Sequence, residues 1–425
     1  MKKLILSSVF AGLVLAGSAV EASTAAAPQK APYGNFVINA DMGAGYWANL
    51  FHRPSGKAEW DKRSEDWSRN SLIAVHDSKM SFTTEGGCGC VAFGAKVKMN
   101  MDPSREVKGL FRDVYVFGRF SDIIEVRIGN QRDAMYSLVD ADSVMGGAGG
   151  YNGYWSALLK HTGYKNAVRK DVWMLGVTHA NDTGYTNALE VRTTRMAGFQ
   201  GVLNFKPSEA HVGGLGTYKT GDEVIGKQNN LVSLGINYDN TFGDFRIRAS
   251  AGGVYGFAQL TEKAKDAEGK ETGKVVAIAD QPDSFTYRVG GIFSWKDLDI
   301  GLGWLDNRST GQAPGVKSKE TNAGKVIHAG VGYQFSSVAM KPRIAVGGLW
   351  GWCNGQNDET TDNELKNQDQ TLAISATFDL NIRDGFKWFV DGTWAALDAS
   401  NKKTVNDTNY DEYNIIVGTG LAVSQ

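Results

Sequence analysis

"SKMSFTTEGGCGCVAFGAKVKMNM", residues 78–101, decides how the rest of the chain is read. After a glycine-rich turn it alternates strictly. Val91, Phe93, Ala95, Val97, Met99 and Met101 share one face, and Ala92, Gly94, Lys96, Lys98 and Asn100 share the other. Before the turn, Met80 and Phe82 oppose Lys79, Ser81 and Thr83. A period of two belongs to a β-strand, so this is a hairpin with one apolar and one polar face. In a soluble sandwich the lysines would meet water outside. In a transmembrane barrel they would meet water inside, and the apolar face would meet lipid.

The same alternation recurs along the chain, over 35–47, 71–85, 90–101, 110–118, 122–130, 186–196, 198–206, 230–239, 244–258, 284–295, 298–306, 324–335, 342–352, 369–380, 386–396 and 412–423. That makes about sixteen strands, with 171–180 and 211–218 as two further candidates. No long helical periodicity interrupts them. The connections sort by length. Those after even-numbered strands are short; those after odd-numbered strands are mostly long, polar and acidic, as in "TEKAKDAEGKETGKVVAIADQPD" (261–283) and "CNGQNDETTDNELKNQD" (353–369). Short turns on one rim and long loops on the other describe an antiparallel up-and-down transmembrane barrel. An even strand count puts both chain ends on the short-turn, periplasmic side.

The two faces keep their character from strand to strand. Phe285, Tyr287, Val289, Phe293 and Trp295 oppose Ser284, Thr286, Arg288 and Ser294. Phe386, Trp388, Val390 and Trp394 oppose Lys387, Asp391 and Thr393. Aromatics gather towards strand ends (Tyr46, Trp47, Tyr255, Trp295, Trp304, Tyr333, Phe335, Trp350, Trp352, Trp388), where amphipathic rings mark the two membrane interfaces. The polar face carries Lys79, Lys96, Lys98, Arg127, Arg192, Lys206, Arg246, Arg248, Arg288, Arg343 and Lys387. It also carries Glu85, Glu125, Glu190, Asp239, Asp299, Asp379 and Asp391. Burying so many charges in a dry core would cost several kcal/mol each, roughly, and a water-filled lumen removes that cost. The lysines of the opening hairpin are therefore expected to point into a pore.

The N-terminus, "MKKLILSSVFAGLVLAGSAVEASTAAA", has a charged start, a short apolar core and small residues after it. It is expected to be a secretory signal peptide over 1–22, or as far as 27, followed by a single barrel domain over 23–425. The 42% hydrophobic content, with a mean hydropathy of −0.29, includes no later run long enough for a membrane helix. A barrel hides its lipid face in alternation and escapes that test. A net charge of −1 gives no basic excess for nucleic acid. The three cysteines, Cys88, Cys90 and Cys353, make no disulfide framework or metal motif; Cys88 and Cys90 either pair or stay free.

Three stretches resemble the trimeric, sixteen-stranded general diffusion porins of Gram-negative outer membranes. The opening hairpin is similar to that family's Ser-Arg-x-Gly-Phe-x-Gly hairpin, with Lys79 at the Arg position. "FRDVYVFGRFSDIIEVRIGNQRDAMYSLVD" (111–140) resembles the hairpin that leads into the family's third loop. "NALEVRTTRMAGFQGVLNF" (187–205) resembles the strand pair that follows it. The resemblance covers about the first half of the mature chain. It implies a third loop, here roughly 131–170, folded into the lumen as a constriction. Acids on it (Asp133, Asp140, Asp142) would face wall bases (Lys79, Arg127, Arg132, Arg192), with Lys96, Lys98, Arg246 and Arg248 as further wall bases. Charges so opposed orient water and steer ions. The resemblance also implies a homotrimer among outer-membrane lipids and lipopolysaccharide, passing small hydrophilic solutes and ions, with no cofactor.

The chain departs from the pattern in three places. Gly129-Asn130 stands where the family has Gly-Arg, the loop has "SVMGGAGGYNGYW" (143–155) in place of a Pro-Glu-Phe-Gly-Gly core, and the C-terminus is Gln425 rather than an aromatic residue. No Gly-x-Ser-x-Gly, His-Glu-x-x-His or phosphate-loop motif indicates an enzyme, and "DADS" and "NDETTDNE" lack calcium-loop spacing. A substrate-selective channel and a plugged structural or adhesin barrel stand as alternatives. Inward bases outnumber inward acids, eleven to seven, so a mild anion preference is expected.

Overall fold

The computed structural model describes residues 35–55, 72–88, 90–100, 111–139, 186–208, 218–220, 223–225, 229–257, 261–265, 271–277, 284–308, 324–354, 368–401 and 408–424. The signal segment, Asp140, Asp142 and the candidate strand at 171–180 lie outside the described residues.

The first half of the wall is β1 (Asn35–Ser55), β2 (Leu72–Cys88), β3 (Val91–Asn100), β4 (Phe111–Phe120), β5 (Ile124–Gln131), β6 (Thr186–Thr193), β7 (Phe199–Ser208) and β10 (Asn229–Phe242). The second half is β11 (Phe245–Phe257), β14 (Ser284–Trp295), β15 (Leu298–Asp306), β16 (Lys325–Gln334), β17 (Arg343–Asn354), β18 (Gln368–Arg383), β19 (Phe386–Asn401) and β20 (Thr408–Ser424). Each strand pairs with the next, and β20 pairs back on β1 from Asp41↔Ser424 to Ser55↔Asp411, so the sheet closes. Closure matters physically: in lipid every backbone donor and acceptor must be satisfied within the protein, and a barrel leaves no edge. No helix among the described residues is long and apolar enough to cross a membrane.

All sixteen alternating runs correspond to barrel strands. Strands run past the expected bounds at both rims: β1 to Ser55 and β19 to Asn401 by the long loops, and β2 to Cys88, β4 to Phe120, β10 to Phe242 and β18 to Arg383 by the short turns. Two small hairpins stand outside the wall on the long-loop rim: β8 (Tyr218–Thr220) with β9 (Glu223–Ile225), and β12 (Thr261–Lys265) with β13 (Glu271–Ala277). The candidate strand at 211–218 thus contributes only its last residue, to a separate sheet, and the barrel count stays at sixteen. The opposite rim carries tight turns. At Gly243, φ is +61°, and Asp244 completes a two-residue link between Phe242 and Phe245. Such links favour glycine because the backbone turns left-handed to match the sheet twist.

Alternation sets what each face meets. In β16, Val326, His328, Gly330 and Gly332 are buried, while Ile327, Ala329, Val331 and Tyr333 are exposed. Large apolar side chains stay exposed on the outward phase of the other strands too, including Phe93, Val116, Ile128, Leu203, Leu234, Leu302 and Val346. Rings pair near both rims, as in Phe245–Trp295 (6.2 Å) by the tight turns and Trp350–Trp352 (4.6 Å) by the long loops. An apolar girdle bordered by aromatics is the lipid-facing surface of a transmembrane barrel. Cys90 is a free, exposed thiol in the β2–β3 turn.

Candidate functional site

Beyond β5 the chain turns inward rather than continuing over the rim. Asp133 caps a short helix, α1 (Ala134–Leu138), its carboxylate accepting the Tyr136 backbone N–H at 3.0 Å. A side-chain acceptor at this position satisfies one of the helix's orphan donors. Arg132 lies across the Tyr136 ring, 3.4 Å from its centroid. α1 packs against the inner wall of β7, β10 and β11 through two apolar clusters. Met135 and Val139 meet Leu231 and Val254, while Ala134 and Leu138 meet Val202. The Ala134 N–H donates to Ser233 Oγ at 2.9 Å, and Asn237 Nδ2 donates to the Leu138 carbonyl at 3.3 Å. Gly235 makes the approach possible, since a β-carbon there would stand 3.1 Å from the Ala134 carbonyl oxygen.

Opposed charges fill the inner face of β2, β4, β5 and β6. Arg119 bridges Glu85 and Glu125, at 3.0 Å to each. Glu125 also takes Arg127 at 2.5 Å, and Arg127 reaches Glu190 at 3.4 Å. Glu190 takes Arg192 at 3.1 Å and the Asn204 amide at 3.2 Å. Arg192 then donates to Ser137 Oγ on α1 at 3.0 Å, so the ladder ends on the inward-folded loop. Two aromatics form its floor: Arg127 lies 4.9 Å from the Tyr115 ring and Arg119 lies 5.8 Å from that of Phe117. Strand register produces the ladder, because Arg119 sits opposite Glu125 and Arg127 opposite Glu190.

The structure brings Arg127 and Arg192 of the expected set together and adds Arg119, one residue beyond the alternating run 110–118. Lys96 and Lys98 are half-buried on β3, with Lys96 opposite Tyr115 in register; Lys79 is half-buried on β2. Asp133 is buried at the helix cap, so its carboxylate serves α1. Arg246 and Arg248 stand on β11, away from the ladder. Arg246 grips Asp239 with both nitrogens, at 2.8 and 2.7 Å. A third group joins Arg343 to Asp299 at 3.2 Å. Among the described residues, no group of three or more His, Cys, Asp or Glu could hold a metal ion. What this wall offers is a path of fixed, mutually compensated charges that orients water and polar solutes.

No protein-family model matches this sequence, and no curated protein is significantly similar to it. Solved structures do match in three dimensions. OprB of Pseudomonas putida aligns at a TM-score of 0.52 and 9% identity, over 92% of this chain and 94% of that one. The outer-membrane channel DcaP of Acinetobacter baumannii gives 0.51 and 11%, over 92% and 98%. An anion-selective porin of Comamonas acidovorans gives 0.50 and 11%, over 92% and 100%. With this strand order, this sorting of loops and these structural neighbours, the chain has the fold of the Gram-negative outer-membrane porins.

Proposed function

We propose that the protein is an outer-membrane porin: a water-filled channel through which small hydrophilic solutes and ions diffuse passively. One observation carries the reading. The closed barrel is apolar outside, and its inner wall holds a charged ladder, from Glu85 to Arg192, whose desolvation cost a hydrated lumen relieves. In this reading residues 1–22, or up to 27, direct export and are removed, and 23–425 form the barrel. The constriction lies where α1 meets the ladder. Arg127, Arg132 and Arg192 border it, Lys79, Lys96 and Lys98 line the adjoining wall, Asp140 and Asp142 supply loop acids, and Asp133 holds the helix. Arg246 and Arg248 belong to a separate stretch of wall. The protein is non-catalytic, uses no cofactor or metal, and assembles as a homotrimer among outer-membrane lipids and lipopolysaccharide. The trimer rests on the family resemblance alone.

Swelling of proteoliposomes in sugars of increasing size tests this. Entry that falls smoothly with solute size supports diffusion; no entry of any sugar through folded protein would sink it. A substrate-selective channel is the second reading. It is favoured by Arg119 and Arg127, two guanidinium groups held over the buried rings of Tyr115 and Phe117, an arrangement suited to a carboxylate. Uptake of one solute out of proportion to its size would favour it.

A further inference from the structure

On the short-turn side of α1, three arginines gather around one carboxylate of the inner wall. Arg195 reaches it from the β6–β7 turn, donating to the Gly198 carbonyl at 2.6 Å and to Asn237 Oδ1 at 2.8 Å. The same Gly198 carbonyl accepts the Asp239 backbone N–H at 2.8 Å, so turn and strand hold each other in place. Two residues beyond Asn237 on β10, Asp239 gives one carboxylate oxygen to Arg246 Nε and the other to Arg246 Nη2. Arg248 stands directly opposite Asp239 in register. Both Asp239 oxygens are engaged by Arg246, and the Nε of the half-buried Arg248 has no hydrogen-bond partner among the described residues. A guanidinium nitrogen left so in a native wall points to an acceptor that comes from outside the protein.

The charge count points the same way. Arg195, Arg246 and Arg248 all act on Asp239, and three bases against one acid leave two positive charges unmatched. The neighbouring groups are balanced. Arg343 meets Asp299 one for one, and the ladder sets Arg119, Arg127 and Arg192 against Glu85, Glu125 and Glu190. Arg246 keeps its Nη1 clear of Asp239, and its side chain is 48% exposed to the lumen. Arg248 and this second edge of Arg246 are thus the donors on offer, already fixed on adjoining positions of one strand.

We propose that this cluster binds a dianionic phosphate group, free or as a monoester, at the short-turn mouth of the pore. A phosphate monoester carries close to two negative charges on one group at neutral pH, which matches the local excess. Its three oxygens can take the fork of Arg248 and the remaining edge of Arg246 together. A carboxylate brings one charge and two oxygens, and chloride sets no hydrogen-bond geometry. The site lies apart from the ladder and from the acids of the third loop. It deepens the channel reading and rests on it for the hydrated lumen through which the ligand enters.

The test titrates the folded, detergent-solubilised protein calorimetrically with glucose 6-phosphate, inorganic phosphate, succinate and glucose. Single-channel current in potassium chloride is recorded on the same preparation. Both phosphates should bind, glucose should not, and the tighter phosphate identifies the source. Binding of glucose 6-phosphate should weaken as pH falls below about 6, where the group takes up its second proton. Arg248→Gln should bind roughly 30-fold more weakly, and Arg248→Lys, which keeps the charge and loses the fork, should fall between. Asp239→Asn releases Arg246 and should bind more tightly than the wild type. Equal binding by wild type and Arg248→Gln, or no binding of either phosphate, overturns the site. Succinate bound as tightly as phosphate overturns the phosphate assignment. If Arg248→Gln does not fold, Asp239→Asn and the wild-type ligand comparison decide. Conductance without phosphate binding overturns this site and leaves the pore standing; phosphate binding without conductance does the reverse.

Discussion

Glu190 is a tightly constrained charge on the inner wall. Its side chain is 1% exposed and takes Arg127, Arg192 and the Asn204 amide at once. Glu190→Gln keeps the shape and removes the charge, leaving two arginines short of a partner. The variant should lose on the order of 2 kcal/mol of stability and become more anion-selective. Urea unfolding and a reversal potential measure the two effects, and a variant unchanged in both would mean the ladder is not coupled. Alternation alone made these charges legible, because an inward carboxylate and its cross-strand arginine share a phase. Arg119 escaped because the strand reading stopped at Gly118, whereas β4 continues to Phe120. Asp133 read as a free loop acid because a five-residue helix is too short to show a 3.6-residue period.

The elements differ in how strongly the sequence marks them. Barrel strands announce themselves because each has a lipid side and a water side. Inward segments do not. α1 is recognised only by what it packs on: Val202, Leu231 and Val254 are apolar residues in the inward phase, where water alone would favour polar ones. Gly235→Val should push α1 off β10, because the added carbons would meet the Ala134 carbonyl. The expected outcome is an altered conductance with noisier current and an unchanged heat-stable barrel on gels; a quiet, wild-type channel would contradict the packing. Strand faces make a paired prediction. Val331→Arg, on the outer face of β16, should destabilise by about 2–4 kcal/mol if it lies near the bilayer midplane. Thr83→Arg, on the inner face of β2, should fold normally and shift selectivity. Folded yield in lipid vesicles separates them.

For the molecule as a whole, closure was legible only indirectly. An even count and sorted loops implied it, while the β1–β20 pairing joins segments at opposite ends of the chain, beyond the reach of any local pattern. The hairpins β8–β9 and β12–β13 stand apart from the barrel sheet, and of the candidate strand at 211–218 only the last residue falls in one of them. The charge balance of the lumen is a property of the same scale. The eleven inward bases and seven acids that alternation marks, with Arg119 added by the structure, predict a weak anion preference, read as the sign of the reversal potential across a potassium chloride gradient; a clear cation preference would contradict it. The central claim is that the lumen is an open, hydrated path, and single-channel current in a planar bilayer, recorded against salt concentration, tests it most directly. The account predicts stepwise openings whose conductance rises in proportion to that of the bulk solution. Silence from correctly folded protein would contradict it, and current that saturates at modest salt would replace diffusion with a binding site.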